Sequence, residues 1–103
     1  DEKYKALHTA VYLECLRVLH PNGLLVLNVK DHYWKPGRDK ERELQEVAKW
    51  HLETLLGLGM ELVAEEKVPA RGDQNTATNK ARGLATVAFE YVYVLRKRNK
   101  ATA

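Results

Sequence analysis

The residues able to do chemistry fall into two stretches. The first is the tip of "LLVLNVKDH", where Lys30, Asp31 and His32 follow six residues that are apolar except for Asn28. An ammonium there can hold a phosphate, and a carboxylate can accept from a base amine or orient a neighbour. His32, Tyr33 and Trp34 form an aromatic cluster able to stack on a nucleobase. The same residues also suit a solvated strand end, with Asp31 opening a turn and Trp34 folded back onto the core. The second stretch, "ARGDQNTATNKARGLAT", carries Arg71, Gln74, Asn75, Asn79, Lys80 and Arg82. This mix can meet phosphates and base edges, or it can be a plain surface loop.

Other reactive types point away from chemistry of their own. His8, His20, His32 and His51 and the carboxylates show no metal-ligand spacing such as HExxH, so no metal site is expected. Cys15 stands alone, which rules out an internal disulfide, and it falls on a helical face between Val11 and Val18. His51 falls on the apolar face of a helix and reads as a hydrogen-bonded core histidine. The tripeptide Arg71-Gly72-Asp73 is too short to argue adhesion.

These stretches need elements to position them. Residues 3–19 have a helical pattern, with Tyr4, Leu7, Val11, Cys15 and Val18 on one expected inner face. Pro21 cannot extend that helix, and Asn22-Gly23 tolerates the positive φ of a tight exit. Leu24 to Lys30 lacks polar alternation, as a strand covered on both faces does. His32 to Asp39 reads as a loop around Pro36-Gly37. A second helix is expected from about Lys40 to Leu58, capped by Asp39, with Leu44, Val47, Ala48, His51, Leu55 and Leu58 inward. Gly59 ends it. Strands are expected at 61–69 and over "VAFEYVYVLRK".

The order is helix, strand, helix, strand, strand. The first two strands, joined through a helix, should run parallel, and the third should return antiparallel. Leu24–Val29 then belongs inside a larger parallel sheet that this chain does not complete.

The bulk properties fit one domain or part of one. The chain has 103 residues, 45% hydrophobic and 30% charged, which suits an ordinary globular protein. No apolar run nears the roughly 20 residues of a membrane span, and Asp1-Glu2-Lys3 does not read as an export leader. A reducing cytoplasm is the expected compartment. The net charge of +3 is uneven: residues 1–66 hold 9 Lys/Arg against 12 Asp/Glu, and residues 67–103 hold 8 against 2. A basic end of this kind suits a polyanionic partner.

"LRVLHPNGLLVLNVKD", followed by "WHLETLLGLGMELV", a strand, a long loop and "EYVYVLRK", resembles the C-terminal half of a class I S-adenosylmethionine-dependent methyltransferase. The wording "NVKDH" with the later "WH" is similar to the DNA amino-methyltransferase type. The resemblance runs from about Tyr4 to Lys97. It implies an α/β fold, half of a Rossmann-like methyltransferase sheet, with the last strand slotted antiparallel between the other two. Two features of such enzymes are absent: a glycine-rich turn after a strand for the cofactor, and a Pro-Pro-aromatic motif for the target amine. Pro21, Pro36 and Pro69 each stand alone.

The expectation is therefore a single partial domain over residues 1–103. The cofactor S-adenosylmethionine would be bound by a missing N-terminal half. The substrate-side residues would be Lys30, Asp31, His32, Arg71, Asn75, Lys80 and Arg82, and the partner DNA. The isolated chain should be inactive and self-associate or need its missing half. RNA or a small molecule are the alternative substrates, and a non-enzymatic basic nucleic-acid-binding α/β module is the rival of another class.

Overall fold

A computed structural model describes residues 2–34, 41, 43–70, 81–83 and 87–98. In chain order the elements are helix α1 (Glu2–Val18), strands β1 (Leu24–Val29), β2 (His32–Trp34) and β3 (Glu43–Gln45), helix α2 (Val47–Gly57), and strands β4 (Glu61–Pro69) and β5 (Phe89–Arg96).

The main sheet has the order β1-β5-β4, with β5 antiparallel to both neighbours. The outer strands are thus parallel to each other, as the helix between them requires. β1 pairs from Leu24 opposite Arg96 to Val29 opposite Tyr91, and β4 pairs from Glu61 opposite Arg96 to Pro69 opposite Phe89. A register shift between Leu62 and Ala64 leaves Val63 as a bulge. The core comprises Tyr12 of α1, Ala48 and Leu55 of α2, Met60, and Tyr93 and Leu95 of β5. Leu25, Leu27, Val29 and Leu62 pack against it from one side of the sheet.

Local signals explain the junctions. Asn22 adopts φ 63° after α1, and a Cβ on Gly23 would stand 2.8 Å from the His20 carbonyl oxygen. The glycine is required by close approach, while asparagine takes the left-handed turn. Beyond α2, Gly59 has φ 97°. The amides of Gly59 and Met60 donate to the carbonyls of Leu56 and Leu55 at 3.0 and 3.2 Å, a Schellman closure. Lys97 donates through Nζ to the carbonyls of Leu16 and, at 2.7 Å, Leu19, covering the negative end of α1.

Four expectations need correction. The second helix begins at Val47, so Asp39 cannot cap it. Part of the expected loop at 32–39 is instead strand β2, paired with β3 where helix was expected. The Pro36-Gly37 portion lies outside the described residues. On α1 the inward side carries Tyr12 and Leu16, continued by Leu19 just past its end, while Leu7, Val11 and Val18 are exposed. The helix has two apolar stripes, and the amphipathic tyrosine stripe is the one that faces the sheet. Last, β1 is an edge strand here with alternating burial, not an interior strand: Leu24 and Val26 are 51% and 63% exposed on the far face.

Candidate functional site

The start of α1, the carboxyl end of β1 and the start of α2 come together at one corner of the molecule. They border an open pocket of about 330 Å³ lined by Tyr4, His8, Tyr12, Lys30, His32 and His51 among others. Ligands of open α/β sheets collect at such strand ends.

His51 organises this corner. The residue is 3% exposed, and its Nδ1 and Nε2 lie 2.6 Å from the Tyr12 hydroxyl and 2.7 Å from the Tyr4 hydroxyl. Burial, and secondarily His8, lowers its pKa and favours the neutral ring. A neutral imidazole has one donor and one acceptor, so one tyrosine donates to it and the other accepts from it. Burial pushes the Tyr12 phenol up to about 12, so that hydroxyl keeps its proton. His8 and Trp50 stand edge-on to His51, with ring centroids 5.0 and 4.8 Å away. The expectation of a hydrogen-bonded core histidine holds. The tyrosines and His8 were missed as site residues, although their spacing of four (Tyr4, His8, Tyr12) was visible as a single helical stripe.

The sequence candidates meet different fates. Lys30 is half-buried and His32 exposed, and both line this cavity. Asp31 turns instead to α2: its Oδ1 accepts from the Ala48 amide at 2.9 Å, satisfying one of the free donors at that helix start. Glu46, the residue just before α2, makes no side-chain cap of its own. Arg82 is described and exposed. Arg71, Asn75 and Lys80 lie outside the described residues. Among the described residues no group of three His, Cys, Asp or Glu could hold a metal ion, and no helix is long and apolar enough to cross a membrane.

The described residues do not fit S-adenosylmethionine as methyltransferases of this class hold it. A glycine turn from a strand end into a helix start is what such a cradle needs. Here Gly23 precedes a strand, and Gly57 and Gly59 close a helix. The carboxyl end of β1 leads into Asp31 and the paired strands β2 and β3.

No protein-family model and no curated protein matches the chain. Among solved structures it is similar to TTHA0409, a candidate DNA modification methylase from Thermus thermophilus complexed with S-adenosyl-L-methionine. The TM-score is 0.72 at 18% identity, over 95% of this chain and 38% of that one. The fold matches that of the corresponding part of this neighbour. The chain spans well under half of its structural neighbour.

Proposed function

We propose that this chain is the C-terminal segment of an S-adenosylmethionine-dependent methyltransferase acting on an exocyclic amine of a DNA base. The observation that carries the proposal is the fit of 95% of the chain to about two-fifths of a candidate DNA modification methylase complexed with S-adenosyl-L-methionine. The β1-β5-β4 order supports it, because that is the arrangement the family resemblance implied. In this reading the cofactor and the amine-binding motif belong to polypeptide outside residues 1–103, and the segment alone transfers no methyl group. On the same reading Lys30 and His32 face the DNA from the carboxyl end of β1, and Arg71, Asn75, Lys80 and Arg82 supply further DNA contacts.

The surface supports a missing partner. Among the described residues β1 is paired on one side only, Leu24 and Val26 are exposed on the far face of the sheet, and Leu7, Val11 and Val18 are exposed on α1. Edge strands with apolar faces are normally covered.

The test is the coding sequence adjoining this chain. A glycine-rich strand turn and a Pro-Pro-aromatic motif in it, followed by radiolabelled methyl transfer to DNA by the joined protein, support the proposal. Finding neither motif favours a non-enzymatic nucleic-acid-binding module.

A further inference from the structure

Beside the paired strands β2 and β3 lies a second cavity, about 200 Å³, lined by Asp31, Tyr33, Leu44, Phe89 and Tyr91 among others. It is too small for a drug-sized ligand or a whole cofactor. Phe89 is 40% exposed at the first position of β5. The Lys67 ammonium stands 4.3 Å from its ring centroid, and Tyr91 and Tyr93 are stacked at 6.1 Å further along the strand. β4 ends at Pro69, opposite Phe89 at the start of β5, and the Ala70 amide donates to the Ala88 carbonyl at 2.9 Å.

We propose that this groove takes one amino-bearing nucleobase of a DNA strand. Phe89 is the stacking platform and Lys67 the neutralising cation. Base stacking on an exposed aromatic beside a cation is how single-strand binders gain affinity without sequence readout. Asp31 adds discrimination. One carboxylate oxygen serves the Ala48 amide, and a carboxylate has acceptor capacity beyond that single bond. Carboxylates accept from the amine of cytosine and have no donor for the carbonyl that thymine presents in its place. The inference rests on the DNA reading above, and it names residues, Lys67 and Phe89, that neither the cofactor nor the amine-binding motif requires.

The experiment is a fluorescence-anisotropy titration of the full chain with labelled oligo(dC), oligo(dT) and oligo(rC), with heparin as a charge-only competitor. Oligo(dC) should bind more tightly than oligo(dT). Phe89→Leu should weaken oligo(dC) binding at least about five-fold, the low end of what one stacked base supplies, and leave heparin binding unchanged. Lys67→Gln should reduce the slope of log affinity against log salt by about one. Asp31→Asn, which still caps α2, should erase the preference for cytosine. Circular dichroism melts of each variant establish that it is folded. Equal binding of oligo(dC) by wild type and a folded Phe89→Leu overturns the platform, equal binding of dC and dT by wild type overturns the role of Asp31, and tighter oligo(rC) binding overturns DNA as the source. Binding that follows these patterns in a protein that, when joined to its adjoining segment, transfers no methyl group upholds the groove and sinks the methylase reading. Methyl transfer with no effect of Phe89→Leu on binding does the reverse.

Discussion

Asp31→Ala should cost about 1 kcal/mol of stability, because the Ala48 amide then loses its acceptor at a helix start. Asp31→Asn should cost little, and urea melts of the two variants separate a cap from a purely electrostatic role. His51 makes a sharper case. Its folded pKa is lowered, so the unfolded chain, with an ordinary value near about 6.5, takes up the proton first as the pH drops. The stability it contributes is complete above that value and is lost as the pH falls from there toward the lower folded value. The urea midpoint should therefore decline between about pH 7.5 and 5.5 more steeply in wild type than in His51→Gln. Parallel declines would contradict a neutral buried ring. Tyr12 works in the opposite direction: with a folded pKa of about 12, its contribution fades as the pH rises above about 10.

At the scale of elements, the ends are held by single residues. Gly59→Ala should destabilise by about 1 kcal/mol, since alanine resists the left-handed backbone that closes α2. Lys97→Met should cost about 0.3–1 kcal/mol by uncovering the carbonyls of α1, read as a lower thermal midpoint that added salt narrows. Much of this was readable from residues. Pro21-Asn22-Gly23, Gly59 and the 61–69 strand stand where their types put them, because backbone restriction is local. The β2–β3 pair was not readable. Each of its strands has three residues, Glu43-Leu44-Gln45 has no strand bias, and pairing with His32–Trp34 is a tertiary fact. The same holds for Asp31: capping a helix seventeen residues away leaves no local pattern. On α1 two apolar stripes compete, and only the packed sheet decides that Tyr12 turns in and Val11 out.

At the scale of the whole molecule, both described helices pack on one side of the main sheet, and Leu24 and Val26 are exposed on the other. The isolated chain should therefore associate, and sedimentation velocity should show species larger than monomer that Val26→Lys diminishes. A monomer at all concentrations would count against the need for cover.

The placement of β5 between β1 and β4 also bears on how the polypeptide acquires its shape during synthesis. Neither outer strand has a backbone partner in the main sheet until the final one arrives. Synthesis must reach Arg96 before β1 and β4 are bridged, and a nascent chain halted ahead of Phe89 would hold both strands without the one that joins them.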